Sequence, residues 1–107
     1  MMKILFICRS NVMRSQIAEA LFNSIGSKHI AKSAGVEVEE KYLGKKLVET
    51  TKFVVPVMKE IGIDVSNNIS KQLTEKMVSE ADKIIIMAEK DKCPKYLFSS
   101  PKVVFWN

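Results

Sequence analysis

Lys3-Ile4-Leu5-Phe6-Ile7-Cys8-Arg9-Ser10-Asn11-Val12-Met13-Arg14-Ser15-Gln16-Ile17-Ala18 is the stretch on which the reading of this chain turns. Lys3 to Ile7 is a short run rich in Ile, Leu and Phe, a composition suited to a strand buried on both faces of a sheet. From Arg14 onward the period changes. Ile17, Ala18, Leu21, Phe22 and Ile25 recur at steps of three and four residues, which predicts one apolar face of a helix that Gly26 ends. A strand therefore feeds a helix through the eight residues Cys8 to Ser15, with the spacing Cys-x5-Arg-Ser.

The same alternation continues outward. Ile30 to Val36 reads as a second strand, followed by a polar stretch through Thr51 with a short helical turn. Phe53 to Ile61 has helical spacing at Val54, Val57, Met58 and Ile61; Pro56 is tolerable in a first turn and Gly62 stops the helix. Ser70 is expected to cap a further helix from Lys71 to Glu80 that buries Leu73, Met77 and Val78. Lys83 to Ala88 and Lys102 to Trp106 read as the third and fourth strands, separated by a polar loop with Pro94 and Pro101. Strands alternating with helices predict an α/β fold with a parallel sheet covered on both faces and right-handed crossovers. Ligands bind such sheets beyond the carboxyl ends of the strands, where Cys8, Glu89 and Asp91 fall.

The loop has a chemistry of its own. A chain that wraps from a strand end into a helix start can turn successive backbone N–H groups inward and make a nest for a tetrahedral oxyanion. Cationic Arg14 and the helix N-terminus both favour thiolate over thiol at Cys8. Arg14 can grip two oxygens through its planar fork, and the Ser15 hydroxyl can donate to the sulfur when it leaves. Asn11 is the residue that best tolerates a left-handed backbone, so the turn can form without glycine. Arg9, Ser10, Val12 and Met13 supply the remaining amides, with the Arg9 side chain facing solvent. The competing structural reading is an inert buried Cys8 and a surface pair between Arg14 and Glu19. The position of the motif between an apolar strand and an amphipathic helix favours function.

Composition narrows the alternatives. At 107 residues, with 47% hydrophobic and 27% charged, one packed domain over residues 1–107 is expected. No apolar run approaches the roughly 20 residues that span a bilayer, and the start does not read as a signal peptide, so the expected location is cytoplasmic. Two cysteines, 8 and 93, are too few for a disulfide framework, and the single His29 leaves no zinc site or Ser-His-Asp triad. No metal or cofactor is called for. The net charge of +5 comes from lysines interleaved with glutamates, as in Val36 to Lys46, which argues for a solvated face rather than nucleic-acid binding while still attracting anions.

The stretch Ile4 to Glu19 resembles the opening of the low-molecular-weight protein tyrosine phosphatases and the related arsenate reductases. The likeness continues through Ser33-Ala34-Gly35, Gly62-Ile63-Asp64-Val65-Ser66 and Ala81-Asp82, so its landmarks span almost the whole chain. The resemblance implies a three-layer fold with a four-stranded parallel sheet of order 2-1-3-4. It also implies a metal-free, two-step reaction in which Cys8 takes a phosphoryl group and water releases it, with Arg14 and the loop amides stabilising the transition state. A phosphorylated protein or small aryl phosphate is the implied substrate, and phosphate, sulfate or arsenate the implied loop ligand.

One departure stands out. The family's general acid is an Asp in an Asp-Pro pair past the fourth strand, and this sequence ends at Trp106-Asn107, before that pair and before the family's final helix. Truncation, a substitute carboxylate (Asp91, or Glu89 beside it) and a non-catalytic anion- or partner-binding remnant are the three explanations. Without the helix, one sheet face is expected to be open and to favour self-association. Tyr42, near Gly44, is the expected aromatic against an aryl phosphate. Arsenate reduction is the rival activity; its relay needs a further cysteine just after the third strand, where Met87-Ala88-Glu89 stands, and Cys93 is read as a structural thiol.

Overall fold

A computed structural model describes residues 1–106. Four parallel strands, β1 (Lys3–Cys8), β2 (Ile30–Gly35), β3 (Lys83–Ile86) and β4 (Val103–Phe105), form one sheet in the order β2-β1-β3-β4. The helices are α1 (Arg14–Ser24), α2 (Leu47–Thr50), α3 (Val54–Glu60) and α4 (Glu75–Glu80), and short 3-10 turns occupy Lys90–Lys92 and Lys95–Leu97. The parallel α/β architecture is the one the element pattern predicts, and the strand order is the one the resemblance implies.

Alternation along β1 assigns its side chains to two layers. Leu5 and Ile7 join Ile84, Ile86, Leu73, Val78 and Leu97 in the larger core, on the face covered by α4. Phe6 points the other way and meets Phe22 of α1 edge to face, with ring centroids 6.2 Å apart. A second core of Leu47, Val54, Met58 and Val65 packs α2 and α3 against Ile17 and Ala20 of α1. Pro56 sits in the first turn of α3, where its missing N–H costs no helical bond, and Gly62 follows that helix at φ 83°.

The α1 face is incompletely covered. Over β3 and β4, Ile85 is half-buried and Val104 exposed, while Leu21 of α1 and Ile25, which caps that helix, are 41% and 76% exposed. The periodicity predicts Leu21 and Ile25 to be buried, but no described element packs on their stripe. Val57 and Ile61 of α3 are exposed for the same reason.

The segment before α4 also departs from expectation. Instead of starting a helix at Lys71 under a Ser70 cap, residues 69–72 run extended, bridging Gly35 through Gln72, Leu43 through Ser70 and Lys46 through Ile69. The helix begins four residues later, where the Thr74 side chain accepts from the Met77 amide at 3.2 Å. Long-range backbone pairing has overridden local helical spacing, and it delivers Ser70 and Lys71 to the loop after β1.

Candidate active site

Every loop residue lies where the carboxyl ends of the strands converge. The carbonyls of Cys8 and Arg9 accept from the amides of Val36 and Glu37 after β2, and the Ile7 carbonyl accepts from Met87 after β3. The Ile86 carbonyl accepts from Trp106 after β4. The crossovers from β1 and β2 leave in opposite directions along the sheet, so the loop occupies the switch point of the fold.

Asn11 organises the loop. It is fully buried and is the only described non-glycine residue with positive φ, at 56°. Its Oδ1 accepts from the Lys71 amide at 2.9 Å and from Gln16 Nε2 at 3.0 Å, and its carbonyl accepts from Ser70 Oγ at 2.9 Å. A backbone amide can only donate, so Lys71 settles which end of the Asn11 carboxamide is oxygen. Asn11 Nδ2 then donates to Ser15 Oγ at 2.7 Å. The Ser15 hydroxyl lies 2.9 Å from Cys8 Sγ and donates to that sulfur when Cys8 is the thiolate, which has no proton to give. The Asn11 amide donates to the same sulfur at 3.2 Å. Two donors therefore converge on a buried sulfur, an arrangement that solvates a thiolate. Helix α1 starts with no side-chain cap and no acidic residue in its first turn, so its positive end is also turned to the loop uncompensated.

Gly35 makes the approach of β2 to the loop possible. A Cβ there would lie 2.8 Å from the Arg9 carbonyl oxygen and 2.9 Å from the Ser10 carbonyl carbon. The Ser33-Ala34-Gly35 landmark thus has a steric role, with Ser33 Oγ donating to Glu19 at 2.7 Å. Glu19 is therefore engaged elsewhere, and Arg14 donates to the Met87 carbonyl instead of pairing with it.

Arg14, Met87, Ala88, Glu89 and Trp106 line a cavity of about 380 Å³ beside the loop. Of the two carboxylates expected near the mouth, Glu89 is part of this lining, whereas Asp91 lies exposed on the following 3-10 turn and is not. Trp106, which sequence reasoning placed only in a strand, supplies the aromatic wall. Tyr42 is half-buried outside the lining, with Lys41 Nζ 5.1 Å from its ring centroid. Arg9 is exposed and pairs with Glu37 at 3.0 Å, each charge favouring the ionised form of the other. Ser10 and Val12 are half-buried, Val12 against the second core, and Met13 is exposed. Cys93 is buried in the larger core with Sγ donating to the Glu89 carbonyl; burial, then the nearby carboxylates of Glu89 and Asp91, push its thiol up. Gln16, Ser70 and Lys71 were not singled out as loop partners by the sequence. A Gln in the first turn of a helix, facing inward beside Ser15, is the one local signal that could have found the first of them. Among the described residues no group of acidic, histidine or cysteine side chains is arranged to hold a metal ion.

Residues 3–103 match the family described as low molecular weight phosphotyrosine protein phosphatase. The chain belongs to this family. An arsenate reductase of Oceanobacillus iheyensis is 31% identical over 94 residues, covering 85% of this chain and 61% of that protein. A protein-arginine-phosphatase of Bacillus subtilis is 35% identical over 95 residues, covering 85% and 59%. The solved low molecular weight protein tyrosine phosphatase from T. tengcongensis superposes with a TM-score of 0.77 at 31% identity, covering 98% of this chain and 73% of that one. The chain thus spans about three fifths of the length of these two curated relatives. The names of the relatives divide between phosphatases and arsenate reductases.

Proposed function

We propose that this chain acts as a cysteine-dependent phosphomonoester hydrolase on protein phosphotyrosine. The observation that carries the reading is the convergence of the Asn11 amide and the Ser15 hydroxyl on Cys8 Sγ, beside a cavity rimmed by Arg14. Cys8 as thiolate attacks phosphorus in line; the S–P bond forms as the bond to the leaving oxygen breaks, and that oxygen takes a proton. Water then attacks phosphorus, the P–S bond breaks with its electron pair returning to sulfur, and inorganic phosphate leaves. Ser15 steadies the departing thiolate, while Arg14 and the loop amides of residues 9–14 bind the phosphoryl oxygens. Glu89 is better placed than Asp91 to protonate the leaving group, and Trp106 better placed than Tyr42 to stack on an aryl ester.

The test is hydrolysis of p-nitrophenyl phosphate by this chain and by Cys8→Ser. Nitrophenolate leaves readily, so the nucleophile is read almost independently of the acid. Activity abolished by Cys8→Ser is expected; turnover that survives the substitution, or none in the parent, would reject the reading.

Arsenate reduction is the second reading, favoured by the identity to the Oceanobacillus reductase. It requires a thiol to reach Cys8, and Cys93 is hydrogen-bonded within the core on its own side of the loop. Both cysteines are free thiols, which suits a reducing cytoplasmic setting. No described helix is long and apolar enough to cross a membrane. The open patch of Ile85, Val104, Leu21 and Ile25 supports self-association of this form of the chain.

A further inference from the structure

Behind the catalytic loop, on the face opposite α1, a groove of about 450 Å³ runs between the first halves of β1 and β2 and helix α4. Its floor is apolar, formed by Leu5, Ile30 and Met77. Lys3, Lys32, Lys71 and Lys76 line it, and Glu80 is the one acidic residue of the lining. None of these lysines is in an ion pair; the ion pairs among the described residues are Arg9–Glu37 and Lys41–Glu39.

Lys71 is the informative member. It is half-buried, and burial pulls its pKa below the usual lysine value, with Glu19 opposing that shift and Lys32 adding to it. Its ammonium has one protein acceptor, the Ile69 carbonyl at 3.2 Å. The side chain cannot retreat to water by a backbone shift. Its amide is held by Asn11 Oδ1 at 2.9 Å and its carbonyl by the Gly35 amide at 2.8 Å. A partly desolvated cation on the lining of a groove with apolar residues is stabilised by an anion brought to it, more than a fully hydrated surface lysine would be. The volume lies within the range of small-molecule sites, too large for a bare inorganic anion, which would leave the floor uncovered.

We infer that this groove is a second ligand site, for an amphipathic carboxylate: an acyl chain of medium length lies on Leu5, Ile30 and Met77 while its head group pairs with Lys71 among the rim lysines. The site is separate from the Cys8 loop, and its occupancy does not depend on the phosphatase reading.

Titration of the whole chain, methyl-labelled at Ile, Leu and Met, with monomeric decanoate tests it by NMR. The expected result is saturable shifts at Leu5, Ile30 and Met77, with affinity about tenfold weaker in Lys71→Met, a substitution that keeps side-chain length and apolarity. Should Lys71→Met misfold, the double variant Lys32→Gln/Lys76→Gln changes only exposed positions and is expected to weaken binding in the same direction. Acetate and decyltrimethylammonium are expected to leave these methyls unmoved at the same concentration. Affinity indifferent to the lysine substitutions, equal binding of the cationic amphiphile or of acetate, or shifts confined to Ile85 and Val104 on the open face would each overturn the assignment.

Discussion

Replacing Asn11 by Gly and by Ala separates two contributions that the loop combines. The native side chain makes three bonds: Nδ2 to Ser15 Oγ, and Oδ1 from Gln16 Nε2 and from the Lys71 amide. Gln16 keeps the Ile69 carbonyl at 2.9 Å when Asn11 is cut back, so its loss is small. The Lys71 amide and the Ser15 hydroxyl lose partners in a buried setting, and each such loss costs about 1–2 kcal/mol. Asn11→Gly, which accepts φ 56° without strain, is therefore expected to lose about 2–4 kcal/mol. Asn11→Ala adds the left-handed penalty of an L-residue, about 1 kcal/mol or slightly more, and lands at about 3–5 kcal/mol. That reaches the lower end of the stability of a typical domain, about 5–15 kcal/mol. Urea unfolding of the three proteins reads the differences directly. In the same series, turnover of p-nitrophenyl phosphate should fall at least about tenfold in Asn11→Gly, because Ser15 loses the bond that holds its hydroxyl beside the sulfur. A glycine variant within about 0.5 kcal/mol of the parent, or an alanine variant no less stable than the glycine one, would refute the reasoning.

Gly35→Ala forces a methyl onto the Arg9 and Ser10 backbone, which cannot rotate away, so a loss of about 1–3 kcal/mol and weaker phosphate binding are expected by unfolding and calorimetry. Asp64 accepts from the Ser66 hydroxyl at 2.6 Å and its amide at 2.9 Å, which lowers its pKa. A carboxylate held lower in the folded state lends stability above its unfolded value of about 4 and loses it as pH falls through the folded value. Asp64→Ala should therefore be less stable than the parent at neutral pH, with the gap closing in acid unfolding curves below about pH 4. Cys93→Ser should leave phosphatase turnover unchanged while lowering the melting temperature, since the thiol packs in the larger core; a loss of turnover under oxidising and reducing cycles would restore the relay. Sedimentation should detect self-association of this 107-residue form, relieved by Val104→Lys on the open face; a monodisperse monomer with a high melting temperature would contradict it.

The legible and illegible parts of this chain divide by sequence distance. Cys8, Asn11, Arg14 and Ser15 lie within one turn of chain, and the physics that assigns them is local: a strand end, a left-handed position, a helix start. The alternation of strands and helices made a parallel α/β sheet legible, while the order 2-1-3-4 came from the family resemblance. What the pattern could not carry was the contact of Asn11 with Ser70 and Lys71, about 60 positions away. Lys71 to Glu80 satisfies helical spacing at Leu73, Met77 and Val78, yet Gln72 pairs with Gly35, continuing the bridges of Ile69 to Lys46 and Ser70 to Leu43. Trp106 went unnoticed as a cavity wall because only the register of β4 against β3 brings it beside Arg14. The division has a physical sense. The reacting atoms can be supplied by one short loop, but a short loop with a non-glycine residue at positive φ does not hold itself. Its geometry depends on donors from a distant segment, which runs extended here and brings the Lys71 amide and the Ser70 hydroxyl to Asn11. The proposed nucleophile and anion nest are thus local features, while the rigidity that aligns Ser15 with Cys8 belongs to the tertiary structure.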